Sequence, residues 1–294
     1  MRARLVALVV AVAVSALASC GDDGDATAVP PGESAVASTT TTTRAPDTSA
    51  PPTSQPPAGA VGGVERLRVE VLERLAHDPG SFTQGLELDG DTLYESAGLY
   101  GESSVRVVDP ARGEVRHRVD LDDQYFGEGL TKIDDTLVVL TWREGTAFVL
   151  DATTLEERAR HRYDGEGWGI CDDGRRLVMS DGTSTLRFRD RTSFAEVSHV
   201  DVTLDGRPVV NLNELECVGD DVYANVWQTD TLVRIDPATG RVTATIDASG
   251  LLDEAERAGA DVLNGIAYDA STDTFLLTGK HWPALFRVRF VPAS

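Results

Sequence analysis

From Val64 onward short apolar runs alternate with polar turns, and one order of runs recurs five times. A small turn-like segment leads into an apolar strand, a polar turn follows, and a second strand comes next. The leading segments are Thr83-Gln84-Gly85-Leu86, Gly127-Glu128-Gly129-Leu130, Gly167-Trp168-Gly169-Ile170, Leu212-Asn213-Glu214-Leu215 and Leu263-Asn264-Gly265-Ile266. Aligned on Gln84, Glu128, Trp168, Asn213 and Asn264, they lie 44, 40, 45 and 51 residues apart. An acidic turn closes each first strand, as in Asp89-Gly90-Asp91 and Asp172-Asp173-Gly174, and second strands are predicted over 92–96, 136–142, 176–181, 222–227 and 274–278. Third strands such as 104–109 and 231–236 end in Asp-Pro and reach Gly113 or Gly240. These residues fit a turn into a fourth strand, 114–120 or 241–247.

Four short strands every 40 to 50 residues predict an all-β fold, a five-bladed β-propeller. The apolar stretch 67–72 is expected to pair beside 285–290 and close the ring. The one helical pattern, 251–258, is a short insert that accounts for the longest spacing. A two-sheet sandwich would not generate a five-fold in-register repeat.

The first sixty residues read differently. Arg2 and Arg4 precede an apolar run from Leu5 to Leu17, followed by Ala18-Ser19-Cys20. That order describes an export signal over 1–20, and the run is shorter than the roughly 20 residues a membrane span needs. Cysteine after Leu-Ala-Ser resembles a bacterial lipobox, which makes Cys20 the candidate lipidation site; an ordinary secretory signal is the alternative. Residues 21–63 are rich in Thr, Pro, Ser, Ala and Gly without apolar periodicity, so they read as a disordered linker that does not offset its ordering entropy. The expected location is the extracellular face of the cell membrane, reached only through the lipid anchor.

Charge narrows the partners. The 294 residues carry 48 acidic against 27 basic side chains, a net charge of −21. Residues 64–294 alone hold 43 acidic and 24 basic, or −19. Nucleic acid is therefore not an expected partner, since phosphate binding draws on clustered positive charge. Only two lysines occur, Lys132 and Lys280.

In a propeller the first strand of each blade lines the axis, so the five aligned residues form a ring at one mouth. Trp142 and Trp227 follow two ring positions by 14 residues, which brings three tryptophans to that end. Aromatic walls with a few convergent polar groups suit a small-ligand pocket, although tryptophans also pack between blades. Glu128, with Phe126 beside it, is the candidate acid or base, because burial raises a carboxylate pKa toward neutrality. A Glu satisfied by a backbone nest or a structural cation is the other reading. Lys280 ends the second strand of the last repeat and could supply a fixed positive charge. The five histidines are dispersed without metal-ligand spacing, and neither a Gly-x-Ser-x-Gly elbow nor a phosphate-binding glycine loop occurs.

The ordered motifs His77-Asp78-Pro79, Phe82-Thr83-Gln84-Gly85-Leu86, Gly98-Leu99-Tyr100-Gly101, Phe126-Gly127-Glu128-Gly129-Leu130, Leu140-Thr141-Trp142, Glu166-Gly167-Trp168-Gly169, Asn213-Glu214-Leu215-Glu216, Asn225-Val226-Trp227, Leu263-Asn264-Gly265-Ile266 and Thr278-Gly279-Lys280 resemble the plant-type glutaminyl-peptide cyclotransferases. The resemblance spans about residues 66–290. It implies a five-bladed propeller that cyclises N-terminal glutaminyl residues of peptides or proteins to pyroglutamate with release of ammonia, without a catalytic zinc or other cofactor. It further implies Glu128 as general base and then general acid. Lys280, Gln84 and Asn213 match pocket residues able to hold the γ-carbonyl, with Asn264 joining them in the ring. Phe82, Phe126, Trp142, Trp168 and Trp227 match the aromatic wall. A monomer is expected.

Cys171 and Cys217 fall three and four residues after their ring positions, and a disulfide between adjacent blades is expected in an exported protein. The rival function is a non-catalytic surface propeller that binds a peptide or glycan. A calcium-dependent lactonase would need several carboxylates in the ring, which offers one.

Overall fold

The acidic turns between first and second strands hold one residue each in the left-handed region: Gly90 (φ 58°), Asp134 (52°), Gly174 (80°), Gly219 (61°) and Asp273 (53°). Glycine has no Cβ to clash there, and Asp tolerates the conformation better than most residues. These turns fold each apolar run back onto its predecessor as an antiparallel hairpin. A computed structural model describes residues 63–293. The signal over 1–20, Cys20 and the linker, apart from Gly63, lie outside the described residues.

Five four-stranded antiparallel units result. The first comprises Thr83–Asp89, Thr92–Ala97, Ser104–Asp109 and Glu114–Asp120; the second Gly127–Ile133, Thr136–Thr141, Thr146–Asp151 and Glu157–Arg162. The third has the shortest strands, Ile170–Asp172, Leu177–Met179, Thr185–Arg189 and Glu196–Asp201. The fourth is Leu212–Val218, Asp221–Val226, Thr231–Asp236 and Arg241–Asp247. The fifth joins Leu263–Asp269, Thr274–Gly279 and Ala284–Pro292 to the first strand of the described chain, Glu65–Ala76.

That last pairing draws the two ends of the domain together. Glu65–Ala76 runs antiparallel to Ala284–Pro292, with Val69 opposite Phe290 and Val71 opposite Val288. The expected contact between 67–72 and 285–290 is thus present. Its first residues also pair in parallel with the fourth unit, Glu65 opposite Ala244 and Arg68 opposite Asp247, merging two units into one sheet.

Burial falls toward the fourth strand in the first three units, whereas the fourth strand of the fourth unit, paired with Glu65–Ala76, is buried at alternate residues. Second strands such as Thr136–Thr141 are buried almost throughout, whereas the fourth strand Glu114–Asp120 is almost wholly exposed. The core lies between units as five clusters. Tyr94 and Val105 of the first unit pack with Leu130, Leu137 and Val139 of the second. Leu140 of the second meets Ile170 and Met179 of the third, and Phe188 of the third meets Leu215 and Val222 of the fourth. Leu232 and Ile246 of the fourth meet Leu263 and Leu277 of the fifth. Finally Ala267 and Leu276 of the fifth pack on Leu86 and Leu93 of the first. Every unit shares apolar surface with two neighbours, and the series closes on itself.

The insert is less helical than its pattern suggests. A single turn, Glu254–Arg257, forms behind a capping box in which the Asp253 side chain accepts from the Glu256 N–H. Leu251 and Leu252 precede it and are buried in the core instead. A cap at Asp253 sets the start of the helix two residues after the apolar pair, so the pair anchors the loop rather than a helical face. A small hairpin, Thr203–Leu204 with Arg207–Pro208, has no counterpart in the other repeats.

Candidate active site

Register shifts occur in the first strands between Thr83 and Gly85, Gly127 and Leu130, Leu212 and Leu215, and Leu263 and Ile266. Gln84, Glu128, Asn213 and Asn264 therefore sit in bulges, which leave a residue out of the ladder and re-aim its side chain. The glycines that follow allow neighbouring first strands to approach. A Cβ on Gly85 would lie 2.4 Å from Leu130 N, one on Gly129 2.7 Å from the Gly169 Cα, and one on Gly169 2.1 Å from the Asn213 carbonyl oxygen.

The fourth repeat has Glu214 where the others have glycine. Its buried carboxylate reaches other first strands, accepting from Leu86 N at 3.2 Å and Ile266 N at 2.8 Å. Burial pushes its pKa well above the usual range; the two N–H donors oppose that rise. Comparing the repeats column by column exposes this residue, which the spacing argument passed over.

One cavity of about 270 Å³ gathers Phe82, Gln84, Phe126, Glu128, Trp142, Trp168, Asn213, Trp227 and Lys280, together with Leu99. Nine of the ten expected site residues line it. The aromatic rings meet edge to face: Phe126 and Trp142 at 5.5 Å, Trp168 and Trp227 at 5.5 Å, Phe82 and Phe126 at 6.1 Å between centroids. Glycines make room behind them, since a Cβ on Gly98 would lie 2.4 Å from Phe126 Cε1 and one on Gly182 2.6 Å from Trp168 Cζ2. Leu99, at φ 90°, holds a strained backbone that composition does not reveal.

Glu128 is 4% exposed and its carboxylate has no hydrogen-bond partner among the described residues, while its carbonyl accepts from Ser96 Oγ. Burial raises its pKa well above the carboxylate range; the Lys280 charge counters this, and Glu166 and Glu144 add to it. Lys280 is itself buried, which lowers its pKa against the pull of Glu128 and Asp261. Its Nζ stands 4.5 Å from the Phe82 ring centroid, a cation–π contact, and its backbone is clamped by Lys280 N to Val262 O at 3.0 Å and Asp261 N to Lys280 O at 2.8 Å.

The segment carrying Phe82 and Gln84 is anchored from behind. Glu95 accepts from Ser81 Oγ, Thr83 Oγ1 and His77 Nε2. Burial would raise the Glu95 pKa, but His77, Ser81 and Arg106 outweigh it and hold it at about 2. His281 N donates to Ser81 O at 2.7 Å, tying this segment to the one that bears Lys280.

Asn264 departs from expectation. It is fully buried and does not line the cavity. Its Nδ2 donates to Thr83 O at 3.1 Å and Gln84 Oε1 at 3.3 Å. The bulge in the fifth unit turns the side chain toward the first unit, behind Gln84. Glu166, also known only from its motif, accepts both the Trp142 and Trp168 indole N–H groups.

Cys171 and Cys217 are joined as a disulfide with Cα atoms 5.5 Å apart, linking the first strands of the third and fourth units. Among the described residues no group of three or more His, Cys, Asp or Glu side chains is arranged to hold a metal ion.

A model of the glutamine cyclotransferase family matches residues 38–290, starting inside the segment read as a linker. A glutaminyl-peptide cyclotransferase of Arabidopsis thaliana is 43% identical over 233 residues, covering 77% of this chain and 72% of that protein. The crystal structure of Myxococcus xanthus glutaminyl cyclase matches with a TM-score of 0.72 at 35% identity, covering 79% of this chain and 100% of that one.

Proposed function

The chain belongs to the glutamine cyclotransferase family, and on that premise we propose that it cyclises N-terminal glutaminyl residues of peptides or proteins to pyroglutamate, releasing ammonia. One observation carries the mechanism: Glu128 is a buried carboxylate without a hydrogen-bond partner among the described residues, walled by aromatic rings in a cavity that Lys280 also lines. The substrate's α-nitrogen attacks its own side-chain carbonyl carbon, forming a C–N bond. Glu128 takes one proton from that nitrogen and returns it to the side-chain nitrogen as the original C–N bond breaks, so ammonia leaves and the enzyme is restored. A carboxylate whose pKa burial raises above the usual range is matched to taking and giving this proton.

The remaining lining divides the work. Asn264 accounts for Gln84 Oε1, which leaves the Gln84 N–H groups for the developing oxyanion, alongside the Lys280 charge. Asn213 Oδ1 is buried without a donor. A carboxamide NH2 supplies one, and this favours glutamine over substrates lacking that group. The rings enclose the flexible side chain and limit it to conformations near attack.

The test is ammonia release from a short peptide with N-terminal Gln, using the purified protein with EDTA present and its Glu128→Gln variant. Loss of about 100-fold or more in kcat is expected in the variant. No release by the folded wild type would leave a peptide-binding module.

We read the architecture as a five-bladed propeller. Support comes from the cyclic series of five core clusters and the closing strand Glu65–Ala76. We also propose export as a lipoprotein anchored at Cys20, on the sequence of the first 20 residues; mass analysis of the mature N-terminus tests it.

A further inference from the structure

Two tryptophans on the cavity wall come from different units. Trp142 follows the second strand of the second unit, and Trp168 precedes the first strand of the third. Their indole N–H groups converge on one atom, Glu166 Oε2, from Trp142 Nε1 at 2.8 Å and from Trp168 Nε1 at 3.0 Å. The other oxygen, Oε1, accepts from Arg143 Nε at 2.9 Å. The Arg143 guanidinium lies 3.6 Å over the Trp142 ring. Trp142 therefore has a cation on one face, Phe126 at its edge and an acceptor at its N–H. Trp168 has Trp227 at its edge, Gly182 behind it and the same acceptor. Glu166 itself does not line the cavity.

We propose that Glu166 is a positioning residue that locks the two indoles at a fixed separation and so sets the shape of the pocket. An indole without its acceptor is held only by its ring contacts, which direct its orientation less sharply than a hydrogen bond at the N–H. A charge-assisted acceptor is stronger than a neutral one, and a shared one makes each indole's orientation depend on the other. The role rests on the reading of this cavity as the glutaminyl site, but the geometric part does not.

The variants are Glu166→Ala and Glu166→Gln in the full chain. Gln keeps an oxygen where Oε2 accepts both N–H groups, and the exposed Arg143 side chain can turn away from the new amide. Near-ultraviolet circular dichroism and acrylamide quenching of tryptophan fluorescence report the four indoles, two of which donate to Glu166, whatever the activity. Expected results for Ala are a weakened indole dichroism, increased quenching, and kcat/KM on an N-terminal Gln peptide lowered about tenfold or more, with far-ultraviolet dichroism intact. Gln should restore the spectra and bring kcat/KM to within a few-fold of wild type. Unchanged spectra in Ala, or Gln as impaired as Ala, overturns the proposal. If wild type releases no ammonia while the spectral changes and their rescue appear, the functional reading fails and the positioning role stands.

Discussion

Asn264 Nδ2 donates to Gln84 Oε1 at 3.3 Å, across the seam between the fifth and first units. The contact fixes which end of the Gln84 amide faces the cavity. Asn264→Asp replaces that donor with acceptors set against Gln84 Oε1 and Thr83 O, and Gln84 is expected to rotate its N–H groups toward them. An unmade or reversed buried hydrogen bond costs about 1–3 kcal/mol, so kcat/KM should fall roughly five- to 150-fold. Asn264→Ala, which removes the donor without reversing polarity, should fall less. Steady-state kinetics on a Gln peptide, with thermal melts to verify folding, decide the matter; two variants with wild-type kcat/KM would remove Asn264 from Gln84 orientation.

Acid dependence should report the field around Glu128. Burial raises its pKa, and Glu144 and Glu166 contribute in the same direction against Lys280. A general base acts deprotonated, so the rate falls as pH drops through this raised pKa. Glu144→Gln removes one negative neighbour, and the acid limb of kcat/KM should move to lower pH. The substrate amine, with a pKa of about 8, is the same in both profiles, so a difference belongs to the enzyme. A limb that stays in place would mean that Glu144 does not act on Glu128.

Stability should carry a second pH signal from Glu87. Burial raises its pKa to about 7, opposed by hydrogen bonds from Thr131 Oγ1 and Lys132 N. A folded pKa above the ordinary 4.5 means the fold favours the protonated form. That stabilisation is complete below about pH 4.5 and is lost as pH climbs through about 7. The melting temperature should therefore decline between pH 5 and pH 8, and Glu87→Gln should flatten the decline. Equal slopes in wild type and variant would disprove the assignment.

The Cys171–Cys217 link spans 46 residues. Chain-entropy arithmetic for a loop of this length gives about 4 kcal/mol of stabilisation. The double variant Cys171→Ala/Cys217→Ala should unfold at lower denaturant while keeping kcat/KM, since neither residue lines the cavity. Non-reducing peptide mapping that recovers two free thiols would contradict the link itself.

Much of this is legible in the sequence. The repeat spacing named the first strands, and acidic or glycine turns marked where each hairpin reverses, because turn chemistry is local and depends on a residue's own φ. The ring of five positions followed from the period, and nine of ten candidate side chains meet in one cavity. Of the helical pattern at 251–258 only the turn Glu254–Arg257 forms, because the adjacent Leu251 and Leu252 pack into the core ahead of the cap at Asp253.

What the sequence by itself determined is the five-fold order, the strand and turn positions, and the chemical inventory at one end of the repeats. Those are consequences of short-range periodicity and backbone preference. Only the tertiary structure decided which way each bulge turns its side chain. It sent Asn264 behind Gln84, carried Glu214 to Leu86 and Ile266, and brought two tryptophans onto the one oxygen of Glu166. Most of these contacts join residues from different units, and how closely those units approach is a distance no local pattern encodes.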